Sequence, residues 1–166
     1  MTDLIQIKRF GEKAREENKR FRLWMKSHNF VERHFKAVGQ GVEDATDCTA
    51  CANCCRVATT QVTDRDIDNL SKFIGLRPSE FIRDYTDESA DEGRIRKRKE
   101  NGCVLLDGNL CSVYEARPQT CQLFPHFVKG SGSMVSRMWH MPDRAVYCPI
   151  VFNTLEELKK ETGFKK

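Results

Sequence analysis

Apolar positions near the start of the chain recur with a helical period. Ile7, Phe10, Ala14, Phe21, Trp24, His28, Val31 and Phe35 fall three, four or seven residues apart, the spacing that lines one face of an α-helix. The stripe is interrupted around Glu17 and Asn18. Residues 4–38 are therefore expected to form one long helix, or two broken near Asn18. Glu16 before Arg20 and Glu32 before Lys36, at i and i+4, add modest support. Gly39 and Gly41 are expected to end the pattern. Farther on, Thr63 can cap a helix whose buried face is Ile67, Leu70 and Phe73 or Ile74, with Gly75 as its stop. Pro78 then opens a second short helix through SEFIRDY.

Beyond this helical pair the pattern turns to short strands. Residues 86–93 are acidic and read as a loop. Arg94 to Lys99 reads as an exposed edge strand guarded by its own charges. Asn101-Gly102 is a hairpin turn leading into the apolar run Cys103 to Leu106. Asp107-Gly108 is a second turn, Leu110 to Tyr114 a short strand, and Pro118 opens a brief helix that Pro125 closes. HFVKGSGSMVSRMW reads as a hairpin turning at Gly130 to Gly132. CPIVFNTLEELKKETG reads as a C-terminal helix, with Thr154 and Glu157 as its capping box and Gly163 as its terminator. The expected fold is α+β and mostly helical: a small cysteine-rich, metal-centred domain with short β-hairpins and long N- and C-terminal helices. A basic amphipathic helical segment over residues 1–40 is expected to precede a cysteine-cluster metal-binding domain over residues 41–166.

Charge singles out the first segment. Residues 1–40 carry ten Lys and Arg against five Asp and Glu, a balance of +5, which leaves −1 for the rest of a chain of net charge +4. The plain reading is a solvated helix face. The functional one is a surface for an unidentified protein partner, with nucleic acid the lesser expectation. No window approaches 18 uninterrupted apolar residues, so no membrane span is expected. The opening MTDLIQIKRFGEK lacks the apolar region of a secretory signal, so a reducing, cytoplasmic location is expected. In that compartment eight cysteines argue for metal or redox chemistry over a disulfide framework.

The cysteines fall into two sets. Cys48, Cys51, Cys54 and Cys55 are crowded into CTACANCC, whereas Cys103, Cys111, Cys121 and Cys148 are dispersed. The spacing C-x2-C-x2-C supplies three corners of a [4Fe-4S] cluster in bacterial ferredoxins, whose remote cysteine precedes a proline. Cys148-Pro149 is the corresponding pair here. Zinc sites more often use C-x2-C pairs set a dozen or more residues apart, yet zinc accepts four thiolates in many geometries and remains the alternative. In an extended backbone neighbouring side chains point to opposite sides. On that basis Cys55 is expected to face the dispersed set and Cys54 the local one. His126, close to Cys121, and His140 are weaker candidates to replace a thiolate or to support one by a hydrogen bond. His28 and His34 read as packing or surface residues. Arg56 is placed to offset thiolate charge.

CTACANCC, followed by GCVLLDGNLCSVYEARPQTCQLFPHF and then YCPI, resembles the YkgJ-like, or CxxCxxCC, cysteine-cluster family of zinc- or iron-chelating domains. The resemblance runs from about Cys48 to Leu158 and leaves out the basic N-terminal helix. It implies a metal-binding domain that uses Cys48, Cys51, Cys54, Cys55, Cys103, Cys111, Cys121 and Cys148. It also implies that Tyr114, Arg117 and Pro118 shape the turn delivering Cys111 and Cys121. A flagellin lysine methylase carries a related cluster within a longer chain. This sequence has no familiar glycine-rich nucleotide fingerprint, and methyl transfer is not carried over to it. The expected function is metal binding through an iron–sulfur cluster, [4Fe-4S] in the first instance, or another iron centre, with a structural, electron-transfer or redox role. The alternatives are a zinc-stapled protein- or nucleic-acid-interaction module and a metal-dependent modifying enzyme. No catalytic residue is assigned, and no carboxylate pair, Ser–His–Asp set or phosphate loop supports hydrolysis or phosphoryl transfer.

Overall fold

Helices carry most of the chain in the computed structural model, which describes residues 1–28 and 31–165. In chain order the elements are α1 (Leu4–Ser27), α2 (Glu32–Asp44), α3 (Cys48–Cys51), α4 (Asn53–Val57), α5 (Asp64–Ile74), α6 (Pro78–Tyr85), β1 (Thr86–Ser89), β2 (Gly93–Arg96), β3 (Arg98–Lys99), β4 (Gly102–Cys103), β5 (Leu106–Asp107), β6 (Leu110–Cys111), α7 (Gln119–Leu123), α8 (Met134–Arg137), α9 (Met141–Arg144) and α10 (Pro149–Glu161). Single 3-10 turns cover Tyr114–Ala116 and Met138–His140. The strands pair as the antiparallel hairpins β1–β2, β3–β4 and β5–β6. The fold is thus α+β and mostly helical, with long helices toward both ends. The chain divides into two units, Met1–Asp47 with Pro125–Lys166, and Cys48–Phe124.

In the first unit Asp3 caps α1 by accepting from the backbone N–H groups of Ile5 and Gln6. The helix buries Ile7, Gly11, Asn18, Phe21 and Met25. Asn18 therefore does not break it. Its side chain lies on the buried face, and α1 runs on to Ser27; residues 29 and 30 lie outside the described residues. Gly39 and Gly41 do not stop α2 either. A Cβ at Gly39 would fall 2.5 Å from the Phe127 ring, so this glycine makes room for packing. The expected hairpin over residues 126–139 is absent. Gly130 and Gly132 take positive φ, and the chain enters α8, where Ser133 accepts from the Ser136 N–H. α10 starts at Pro149, with Cys148 as its N-cap residue, and not at Thr154, which is buried inside the helix. Proline at the first helical position presets φ there. Lys159, 5% exposed, is held between Glu17 of α1 and Glu156 of α10.

The second unit is built on a core of Val62, Ile67, Leu70, Phe81, Cys103, Leu105 and Val113. Thr63 and Asp66 form a reciprocal capping box at the start of α5, and Gly75 ends it at φ +82°. α6 begins at Pro78 as expected. The acidic stretch read as a loop contributes β1, paired with β2 in the register Thr86↔Arg96 to Ser89↔Gly93. Arg94 to Lys99 is consequently not one exposed edge strand. It splits into β2 and β3, and Arg96 is only 6% exposed. Both short hairpins turn one residue away from the expected dipeptide. Lys99 pairs with Gly102 and Asp107 with Leu110, so the turns are Glu100-Asn101 and Gly108-Asn109.

Candidate metal centre

The crowded cysteines sit on two helical fragments. Cys48 to Cys51 make the single turn α3, Ala52 adopts φ 47°, ψ 14°, and Asn53 to Val57 continue as α4. A left-handed conformation at a non-glycine residue costs about 1–2 kcal/mol and persists where the surroundings impose it. They do so here by hydrogen bonds. Arg56 Nη1 donates to the Cys51 carbonyl at 3.1 Å. Its Nη2 donates to the Gly108 carbonyl at 3.0 Å and to Asn109 Oδ1. Asn109 Nδ2 donates to the Ala50 carbonyl at 2.9 Å. The β5–β6 turn thereby clamps the cysteine segment on both sides of Ala52.

The dispersed cysteines are brought in by other elements of this unit. Gly102, at φ +119°, lies so close to α4 that a Cβ would meet Arg56 Cα and the Cys55 carbonyl oxygen at 2.7 Å each. This approach seats Cys103 beside α4. The Leu105 N–H donates to Cys103 Sγ at 3.3 Å, a bond that favours a thiolate. The β5–β6 hairpin carries Cys111 opposite Leu106. Cys121 rides on α7, whose first N–H, from Gln119, donates to Asp66 Oδ1 at 3.0 Å. The Arg117 guanidinium stacks 3.9 Å over the Tyr114 ring, Gln122 Nε2 donates to the Arg117 carbonyl, and Cys121 N–H donates to the Pro118 carbonyl at 2.8 Å. Tyr114, Arg117 and Pro118 thus form the bend ahead of Cys121.

Arg96 is the electrostatic centre of the group. Its Nη1 lies 3.9 Å from Cys121 Sγ, and Nη2 donates to the Ala58 carbonyl at 3.4 Å. Its Nε has no hydrogen-bond partner among the described residues. Burial works against its charge, but Cys103, Cys121 and Cys55 outweigh that and push its pKa up. The Cys55 thiol is brought down to about 6, first by a hydrogen bond from Cys54 and then, against burial, by Arg96 and Arg56. Burial pushes the Cys103 and Cys121 thiols up despite the nearby Arg96. One guanidinium cannot stabilise three thiolates equally, and the first to ionise takes most of the benefit. Arg98 donates to the Ala58 and Arg56 carbonyls. Arg56, Arg96 and Arg98 therefore surround the cysteine segment with their donors on neutral oxygens or on sulfur.

Cys54 and Cys55 do not diverge as an extended strand would make them. They lie on a helical turn, and their thiols hydrogen-bond to each other. Arg96 interacts with Cys55 as well as with Cys103 and Cys121. Cys48 is exposed, Cys51 and Cys111 are intermediate, and Cys148 is buried at the start of α10 in the other unit. His126 and His140 also belong to that other unit, and His34 bonds Glu161 at 2.8 Å. Among the described residues no three Cys, His, Asp or Glu side chains already stand in a coordinating arrangement. The donor chemistry of the second unit nevertheless fits a thiolate-bound metal. Seven soft sulfur donors lie in that unit, one accepts a backbone N–H, and cationic groups offset charge on Cys55, Cys103 and Cys121. Arg96 and Arg98, read from sequence as solvated edge charges, instead donate to sulfur and carbonyl groups beside the cysteine segment. Period-two alternation puts Arg96 on the face opposite Ile95, so the sequence carries no signal of its burial.

No curated protein and no solved structure matches the chain. The family model described as "CxxCxxCC: Putative zinc- or iron-chelating domain" matches residues 47–149. With more than half of its length under that match, the chain belongs to this family of zinc- or iron-chelating domains.

Proposed function

We propose that the chain holds an iron–sulfur cluster of the [4Fe-4S] type and serves in electron transfer. Cys48, Cys51 and Cys54 are the local ligands, and the others are drawn from Cys55, Cys103, Cys111 and Cys121. One observation carries this reading: seven of the eight cysteines fall in one unit, and three of them, Cys55, Cys103 and Cys121, interact with the buried Arg96. A structural zinc ion and a [4Fe-4S] cluster each take four thiolates, and the C-x2-C-x2-C spacing of Cys48, Cys51 and Cys54, which serves three corners of a cluster in bacterial ferredoxins, favours the cluster. Such a cluster, once bound, supplies one-electron chemistry at a potential set by its charge, hydrogen bonds and solvent exposure. This chain's own residues supply those three influences. The Leu105 N–H and the Arg96 guanidinium stabilise negative charge on sulfur, while the exposed Cys48 keeps the local set near solvent, where a redox partner can approach.

The test is anaerobic purification followed by iron, zinc and acid-labile sulfide analysis. Visible absorption and electron paramagnetic resonance are recorded before and after dithionite. Iron with matching sulfide and a reducible chromophore supports the proposal. A colourless protein that holds zinc and no sulfide overturns it in favour of a zinc staple.

A further inference from the structure

The first unit carries a charge that the metal chemistry does not use. Residues 1–47 and 125–166 contain 17 Lys and Arg against 12 Asp and Glu, a net +5, whereas residues 48–124 contain 11 against 12, a net −1. The excess is concentrated in α1, which has eight basic and three acidic residues. At about 100° per residue, Lys8, Glu12, Arg15, Lys19, Arg22 and Lys26 fall within about 40° of one line along the helix. Five of those six are cations, spread over about 27 Å of helix. Ile7, Gly11, Asn18, Phe21 and Met25, the buried residues, lie on a different face.

An exposed aromatic ring stands beside this row. The Arg22 guanidinium lies 4.1 Å from the centroid of the Trp139 ring, and Trp139 is 64% exposed. Arg15, one helical repeat earlier, reaches Asp143 at 3.5 Å, which sets the row along the α9 side of the helix. The acidic neighbours are Glu12 on the row itself, Asp143, and Glu16, which pairs with Lys19 at 2.7 Å. These pairs are exposed and weak, so a polyanion can displace them. No apolar residue interrupts the row, which argues against insertion into a lipid surface. A line of cations flanked at Arg22 by an exposed tryptophan suits a flexible polyphosphate with stackable bases.

We propose that this edge of α1, together with Trp139, binds single-stranded nucleic acid. Phosphates lie along Lys8, Arg15, Lys19 and Lys26, and a base stacks on Trp139. The proposal does not depend on which metal the second unit holds.

The experiment measures the anisotropy of fluorescein-labelled oligothymidylate and oligouridylate with the full, metal-loaded chain over a salt series. The dissociation constant should rise with salt, with a log–log slope of about 0.7 per phosphate contacted. Lys19→Gln with Lys26→Gln should reduce that slope by about 1.4. Trp139→Ala should weaken binding by about five- to a hundred-fold, and Trp139→Phe should retain most of it. Circular dichroism and metal content report whether each variant remains folded. Absence of binding at low salt overturns the proposal, as does binding that Trp139→Ala leaves unchanged. Tighter binding to phosphatidylserine vesicles, insensitive to Trp139→Ala, overturns it in favour of a membrane surface.

Discussion

Gly102→Ala attacks the docking of β4 on α4. The native residue has φ +119°, and an added Cβ would sit 2.7 Å from both Arg56 Cα and the Cys55 carbonyl oxygen. Both obstacles are backbone, so no side-chain rotation relieves them. The backbone conformation alone costs an L-residue about 1–3 kcal/mol. Displacing packed backbone adds about 1–3 kcal/mol, the usual range for overpacking. The total of about 2–6 kcal/mol is a large part of the ~5–15 kcal/mol that stabilises an ordinary domain. Gly93→Ala is the control. Gly93 also has positive φ, at +69°, but nothing lies within 4 Å of its added Cβ. It should show only the conformational cost, about 1–2 kcal/mol. Urea unfolding of the reduced, metal-free proteins measures the difference as a shift of midpoint at constant slope. Elemental analysis of the anaerobically purified proteins supplies the second readout. Gly102→Ala should lose metal as well as stability, because separating β4 from α4 draws Cys103 away from Cys55. If Gly102→Ala matches Gly93→Ala in both midpoint and metal content, this close approach does not position the centre.

Further outcomes follow from the same geometry. Arg96→Gln removes a charge that favours the Cys55 thiolate, so the pH midpoint for alkylation of Cys55 in metal-free protein should move up from about 6, as read by iodoacetamide labelling and mass spectrometry of the Cys55 peptide. Cys51→Ser should lower metal content and the thermal stability of the loaded protein while leaving metal-free stability nearly unchanged. Cys103→Ser should lower both, because Cys103 is 5% exposed within the core and a serine hydroxyl there is poorly solvated. Lys159→Ala strands the carboxylates of Glu17 and Glu156 and should cost about 3–5 kcal/mol in urea unfolding, part of which Glu17→Gln in the same chain recovers.

The helical character and the two short hairpins β3–β4 and β5–β6 were legible because they rest on local signals: periodic apolar positions, the Thr63 cap, the proline at the start of α6 and the turn residues near Asn101 and Gly108. The β1–β2 hairpin was missed, and the one expected over residues 126–139 is absent. The errors came where tertiary packing overrode those signals. Asn18 looks like an interruption in a list of apolar residues, but a single buried polar side chain does not stop a helix packed along that face. Gly39 looks like a terminator and instead accommodates Phe127. Both short turns slipped by one residue. At Gly102 the unusual φ serves contact with α4, which no local turn rule contains. In the candidate site the sulfur donors were visible as a motif, whereas their charged surroundings were not. Five basic residues in six read as solvent-facing, yet Arg96 is buried with its guanidinium on the Ala58 carbonyl and beside Cys121. The left-handed Ala52 had no sequence signal, since glycine or asparagine is the residue expected there.

The partners of the three arginines bear on what the cysteines do together. Arg56 and Arg98 place their hydrogen bonds on neutral oxygens, and Arg96 on a carbonyl and a sulfur. A carbonyl satisfies a guanidinium donor but does not cancel its charge. Three guanidinium groups collected around one short segment repel one another, and burial of Arg96 adds a desolvation cost. Protonated thiols offset neither effect. Thiolates offset both, and thiolates are what a bound metal requires. The arginines and the metal thus favour the same ionisation state of the same sulfurs. Metal loading should therefore tighten the β-hairpins that carry Arg96 and Arg98 as well as the loop that carries Cys48 to Cys55.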